Sequence, residues 1–353
     1  MARPSVARWI RSGLLTMKTI ILKKPGEFDL CETQEPERLK SGEALIRVRK
    51  VGICGTDIHA YAGRQPFFEY PRILGHELGV EVLEVAPDVS NIHPGMFCAV
   101  EPYLNCGRCR PCHLGRTNCC ESLQVLGVHT DGGMRERLIV PAKKLHTSNT
   151  LALDQLALVE TLSIGAHAVQ RARLDSSDTV LIVGAGPIGL GALIFAQLAG
   201  SNVVIMDINQ QRLDFCQENF QVKYTVRVGD TALDQVKDYC NGLPAAVFDA
   251  TGHLGAMESS FNYVASAGRL IYIGFQRERV SFSNPEFHRR EISIHSSRNS
   301  VSEDFRKIIC WMEEGAIDTK PWITHSLKFD NIVAKFPTLS DPEEGVLKAI
   351  LDF

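Results

Sequence analysis

The stretch from Val51 to Glu77, VGICGTDIHAYAGRQPFFEYPRILGHE, gathers groups that can do chemistry. It holds a thiol (Cys54), a hydroxyl (Thr56), a carboxylate (Asp57), two imidazoles (His59 and His76) and a second carboxylate (Glu77). A soft sulfur, a borderline nitrogen and a hard oxygen brought together form a ligand set that zinc accepts in tetrahedral catalytic sites. Gly52 and Gly55 let the backbone turn around Cys54 and expose its thiolate, and Gly75 does the same for the His76–Glu77 pair. A lone cysteine is more often a small buried hydrophobe, but that reading leaves the His–Glu pair unexplained.

A second cluster, NCGRCRPCHLGRTNCC, runs from Asn105 to Cys120. Cys106, Cys109 and Cys112 recur with two residues between neighbours, and Cys120 follows after seven more. Thiolates separated by Gly, Arg and Pro can wrap one tetrahedral metal without a hydrophobic core, and Arg108, Arg110 and Arg116 offset their charge. Structural zinc is the expected occupant; an iron–sulfur cluster uses the same ligands.

The third stretch is DTVLIVGAGPIGLGALIFAQLAGSNVVIMD, Asp178 to Asp207. TVLIVG suits a parallel strand buried on both faces. In GAGPIG, Gly184 allows a tight turn, Gly186 lets the backbone approach a pyrophosphate, and Gly189 permits close helix–strand packing around Pro187 and Ile188. A second strand ends on Asp207, which can accept hydrogen bonds from ribose hydroxyls and would repel a 2′-phosphate, so NAD is expected over NADP. Thr251, Gly274 and Phe275 end later strands at the sheet edge where ligands of open α/β folds collect. Together with Arg212 they complete the cofactor set.

Three single residues stand out further. Glu160 interrupts the apolar helical run LVETLSIGAHAV; burying a lone carboxylate is costly unless a cation accepts it, although a first-turn glutamate facing the helix dipole is the plainer reading. His129, in GVHTDGG, is a substrate candidate or a solvated loop imidazole. Arg298, in HSSRN, has the planar fork that suits a carboxylate, or it contacts the cofactor or Glu160; Arg64 is a weaker candidate.

The GICGTDIH and GHE segments resemble the zinc-dependent medium-chain dehydrogenases, and the likeness spans Met17 to Phe353. It implies that Cys54, His76 and Glu77 are catalytic zinc residues. Through the VETLS segment, similar to that of sorbitol-dehydrogenase-like members, it makes Glu160 the fourth, bound directly or through water. Family spacing selects Cys120 over Cys119 in the second cluster, giving two zinc ions per chain. Thr56 becomes the first proton-relay hydroxyl, His59 the outer acid/base, and Asp57 the group orienting His76. Two departures are notable: the glycine usual at the position of Val80 is here Gly79, and Met96 replaces an aspartate after the Pro-Gly turn.

These groups need elements to position them. At 353 residues the chain suggests about two domains, and 44% hydrophobic with 22% charged residues is ordinary for a globular protein. A net charge of −3 gives no general reason to expect nucleic acid or an anionic membrane as partner. No apolar run approaches the roughly 18 residues of a membrane span. Eleven cysteines without a secretory signal fit a reducing, cytoplasmic setting. Residues 1–16, arginine-rich and free of acids, read as a leader or upstream start outside the fold. From Lys18 to Pro102 short β-type runs broken by Gly and Pro suggest a small barrel, whereas strand and helix alternate after Asp178.

The expected fold is therefore α/β plus β. The resemblance implies a GroES-like catalytic domain (17–156 and 299–353) with an inserted NAD-binding Rossmann domain (157–298), assembled as a homodimer or homotetramer. The segments QPFFEYPRILGHE, RTNCCESLQVLGVHTDGG and FSNPEFHRRE resemble bacterial L-galactonate 5-dehydrogenases and related hexonate enzymes. The expected reaction is NAD-dependent oxidation of a secondary alcohol of a sugar acid, of L-galactonate or L-gulonate type. A neutral polyol of sorbitol type, or a threonine-type substrate, is the alternative. A non-catalytic NAD-responsive regulator or scaffold would not need the zinc and relay residues together, and a zinc-independent reductase would lack them.

Overall fold

The computed structural model describes residues 15–353 except Phe67, with Pro342 described by its backbone alone. The leader reading for residues 1–16 lies outside the described residues as far as residue 14. Thr16 already opens the first strand, Thr16–Lys24, one residue ahead of the start expected at Met17.

TVLIV and NVVIMD pair in parallel, from Thr179 opposite Asn202 to Val183 opposite Met206. They lie inside a parallel sheet of spatial order Tyr224–Arg227, Asn202–Asp207, Thr179–Val183, Ala246–Asp249, Arg269–Tyr272, Ser293–Ser296. Alternate strand residues point to opposite faces. Val180 and Ile182 accordingly enter a core with Leu190 and Leu193, whereas Leu181 and Val183 enter another with Val226 and Val236. Both faces are covered, which explains the unbroken apolar run and gives the doubly wound Rossmann arrangement. Strand order reverses between Thr179–Val183 and Ala246–Asp249, and the glycine-rich turn emerges there.

The second sheet runs Ile323–Lys328, Lys348–Asp352, Glu43–Ile53, Glu77–Val85, Phe97–Val100, Leu145–Ser148, with Arg137–Pro141 added to Glu43–Ile53. The alternation in ALIRVRKV puts Ala44, Ile46 and Val48 in its core. The chain's last strand returns to pair with Glu43–Ile53, Ala349 opposite Ile53.

The helix Leu153–Ala172 packs on both sheets' elements. A Cβ at Gly79 would collide with the Leu153 carbonyl, and one at Gly165 with the backbone of Gly191 and Ala192. The displaced glycine at position 79 is thus required where the strand passes beneath the start of this helix. Among the described residues no helix is long and apolar enough to cross a membrane.

Candidate active site

Cys54 caps the helix Gly55–Tyr61 in extended conformation. Asp57, in the first turn, accepts the Cys54 backbone N–H at 3.0 Å through Oδ2, so the carboxylate fixes the cysteine's backbone. Glu77 begins the neighbouring strand Glu77–Val85, opposite Gly52, and His76 immediately precedes it. A side chain at position 52 would occupy the space of the Glu77 carboxylate. As a result the ligand atoms of Cys54, His76 and Glu77 all lie within 4.8 Å of one another.

Three carboxyl groups, Asp57, Glu77 and Glu160, and the Lys348 ammonium are buried at this site. Asp57 Oδ1 lies 3.8 Å from His76 Nδ1, both atoms buried and without a hydrogen bond. Lys348 Nζ donates to both oxygens of Glu77, at 2.7 and 2.8 Å. Burial alone would raise the Glu77 carboxyl, but Lys348 and His76 outweigh it and hold the group below the usual carboxylate range. Burial disfavours charge on His76 and Lys348 as well. Asp57 and Cys54 nevertheless lift His76, and Glu77 and Cys54 lift Lys348, above their ordinary values. A field that overrides burial on two cations, beside a sulfur–nitrogen–oxygen donor set, suits a divalent metal.

Glu160 sits mid-helix in Leu153–Ala172, not in its first turn. It stands outside the three-residue set, its Oε1 accepting from the buried Tyr103 hydroxyl. Burial raises its carboxyl, with His76 opposing. Thr56 and His59 lie three residues apart on the Gly55–Tyr61 helix, a spacing that puts both on one face. Thr56 is partly buried and His59 exposed; burial and Arg64 lower the His59 imidazole.

The sulfurs of Cys106, Cys109, Cys112 and Cys120 also lie within 4.8 Å of one another, while Cys119 is exposed outside the set. The Cys106 N–H donates to Cys120 Sγ at 3.3 Å and Asn105 Nδ2 to Cys112 Sγ at 3.6 Å. Backbone N–H groups of Arg108 and Cys109 favour the thiolate and bring Cys106 down to about 6. Four converging, donor-solvated sulfurs fit a tetrahedral structural metal.

The Alcohol dehydrogenase GroES-like domain family matches residues 40–150, and the Zinc-binding dehydrogenase family matches residues 187–314. The chain is 36% identical to the L-galactonate-5-dehydrogenase of Escherichia coli K12 over 96% of its own length and 99% of the relative's. It belongs to the zinc-dependent alcohol dehydrogenase family. The L-arabinitol 4-dehydrogenase of Hypocrea jecorina is 32% identical, with 89% of this chain and 86% of that one covered. In fold the dehydrogenase matches the crystal structure of an alcohol dehydrogenase (rspB) from E. coli CFT073 complexed with NADH. There the TM-score is 0.89 at 30% identity, covering 96% and 99% of the two chains.

In this dehydrogenase the turn after Thr179–Val183 is a cradle. Gly184 has φ +101°, Gly186 caps the helix Pro187–Leu198 in extended conformation, and a Cβ at Gly189 would strike the Gly184 carbonyl. Above Gly186 the nearest group a Cβ would meet is Arg212 Nη1 at 3.9 Å, so the backbone is open to a ligand. Pro187 and Ile188 supply the helix's first turn. Asp207 does more than end its strand: Oδ2 accepts the Ala185 N–H at 2.6 Å and Oδ1 the Asn209 N–H at 2.8 Å. Thr251 packs beside Gly184, and Gly252, Gly274 and Phe275 approach backbone to backbone across the neighbouring strand ends.

Of the substrate candidates read from the sequence, His129 accepts the Val125 N–H through Nδ1 at 3.1 Å. Burial, Arg298 and Arg72 all lower its pKa. The Arg298 guanidinium is exposed and has no hydrogen bond or ion pair among the described residues. Its alternative contact to Glu160 is not made; Tyr103 takes that place. Arg64 instead offers its carbonyl to Arg277. Sequence reasoning missed Lys348, Tyr103 and Arg72. Only Lys348 carried a signal, a lone cation inside the apolar run GVLKAIL.

Proposed function

We propose that this dehydrogenase oxidises a secondary alcohol of a sugar acid, of L-galactonate or L-gulonate type, to the ketone, with NAD as acceptor. The observation that carries the reading is Arg298, a cation without a partner among the described residues, two residues past the carboxyl end of the strand Ser293–Ser296 and near enough to His129 to depress its pKa. A hexonate carboxylate entering a partly dry cleft needs such a cation. The likeness to an L-galactonate-5-dehydrogenase supports the same class.

Cys54, His76 and Glu77 would hold the catalytic zinc with Glu160 behind them, and the four-cysteine lobe would hold the second ion. Zinc, when bound, supplies the Lewis acidity that eases loss of an alcohol proton, and NAD supplies the hydride acceptor. The released proton would pass over Thr56 to the exposed His59, three residues on along the same helix face. Asp57 orients His76 from the Nδ1 side. Asp207 and the open backbone at Gly186 support a dinucleotide whose ribose hydroxyls are unphosphorylated. Eleven unpaired cysteines support a reducing, cytoplasmic setting.

A neutral polyol is the second reading, favoured by the L-arabinitol 4-dehydrogenase relatives. The test is a panel of hexonates and hexitols followed by NADH absorbance. Arg298→Ala should raise the hexonate KM about thirtyfold or more, the usual cost of removing one partner of a charge pair, here one that bound substrate would bury, and spare a neutral hexitol. Faster wild-type turnover of sorbitol than of L-galactonate would return the substrate to the polyols.

A further inference from the structure

Among the described residues the Arg298 guanidinium has no partner, but its backbone does. Its carbonyl accepts from Asn118 Nδ2 at 2.9 Å, and the same nitrogen lies 3.2 Å from His167 Nε2. A carbonyl can only accept, so the amide nitrogen of Asn118 must face Arg298 and spend its second hydrogen on His167. His167 Nε2 is then an acceptor and its Nδ1–H donates to Asp304 Oδ2, at 3.0 Å. Asp304 Oδ2 also accepts the Val301 N–H at 2.9 Å. Asn118, His167 and Asp304 are 3%, 8% and 4% exposed, so no water competes for these bonds.

One further contact and one backbone conformation define the same segment. Ser300 Oγ meets Ser163 Oγ at 2.7 Å, and Asn299 between them is held at φ +53°. Glu160, Ser163 and His167 follow one another at helical spacing on Leu153–Ala172, which sets them along one face. One end of that face serves the metal pocket and the other the Arg298 segment. Asn118 itself belongs to the four-cysteine lobe, two residues before Cys120.

We infer that Asn118, clamped between His167 and the Arg298 carbonyl, is a positioning residue that aims Arg298, so that the four-cysteine lobe governs substrate affinity without touching substrate. The inference rests on the reading that Arg298 meets the substrate. Losing one such hydrogen bond should weaken hexonate binding roughly three- to tenfold.

The experiment compares Asn118→Ala, Arg298→Ala and the double variant in the zinc-loaded enzyme. Steady-state kinetics, calorimetric hexonate binding, zinc content and melting temperature are measured for each. Expected for Asn118→Ala are a three- to tenfold higher hexonate KM and Kd, little change in kcat, an unchanged hexitol KM, and no added penalty once Arg298 is gone. Equal losses on hexonate and hexitol, or a penalty that simply adds to that of Arg298→Ala, would overturn the inference. If Asn118→Ala loses zinc, His167→Ala, which lies outside the lobe, replaces it: the same pattern supports the inference and an unchanged hexonate KM ends it. Should wild type turn over no hexonate, the sugar-acid reading alone falls. The same cycle is then read on the alcohol that is turned over, where non-additive losses keep the positioning role and additive ones remove it.

Discussion

The Lys348 ammonium spans both carboxylate oxygens of Glu77, at 2.7 and 2.8 Å, with side chains 2% and 1% exposed and 271 residues apart in sequence. Removing the cation would strand a buried carboxylate. Lys348→Met should cost about 3–5 kcal/mol in denaturant unfolding and lower zinc retention at the catalytic site. An unchanged unfolding midpoint would mean that other groups satisfy Glu77.

The two cysteine sets should separate in their effects. Cys109→Ser should lose one zinc by elemental analysis together with a large drop in melting temperature, because binding energy at a structural site is folding energy. Cys54→Ser should lose the other zinc and the activity while the circular dichroism of the fold survives. Full metal content and an unchanged melting temperature in Cys109→Ser would refute the structural site.

Asp207 pins the glycine turn through Ala185, and by the proposal above it also meets the ribose hydroxyls. Asp207→Ser should therefore do two things: narrow the NAD/NADP ratio of kcat/KM, and raise the KM for NAD as the turn loosens. A wild type that uses both dinucleotides equally would remove the charge-repulsion argument.

Glu101 makes a pH-dependent tie between residues 144–146 and the start of the helix Ser302–Glu313. It accepts from Lys144, from His146 Nε2 at 3.2 Å and from Ser302 Oγ at 2.5 Å, the last at the start of the helix Ser302–Glu313. Burial alone would raise its carboxyl, but His146 and Lys144 outweigh that and hold it below its ordinary 4.5. A depressed carboxylate adds stability above the unfolded value and loses it as pH falls through the folded one. Glu101→Gln should cost about 3–5 kcal/mol near neutrality by stranding Lys144, and the gap to wild type should close below pH 4.5. A gap constant with pH would exclude Glu101 as the titrating group.

Local motifs were legible because their chemistry is set by spacing. Cys106 to Cys120, GAGPIG and the Cys54–Glu77 stretch each bring their groups together within one turn, one loop or one strand pair. Pairings across the chain were not. Tyr103 and Glu160 are 57 residues apart, Asn118 and Arg298 are 180 apart, and no periodicity links such partners. The helix read over Leu158–Val169 extends over Leu153–Ala172. Gln155, which accepts the Ala152 N–H at 3.0 Å, supplies a start signal that the apolar spacing alone does not contain.

That helix passes through residues 156–157 without a break, and it meets one sheet at Gly79 and the cofactor lobe at the Gly165–Gly191 crossing. Wherever backbones touch without side chains between them, no mutation can be compensated by repacking. If, as proposed, His129 and Arg298 face substrate, their loops are where substrate preference can change, while these crossings tolerate nothing larger than hydrogen. The helix is thus least open to change at the two points where backbone meets backbone.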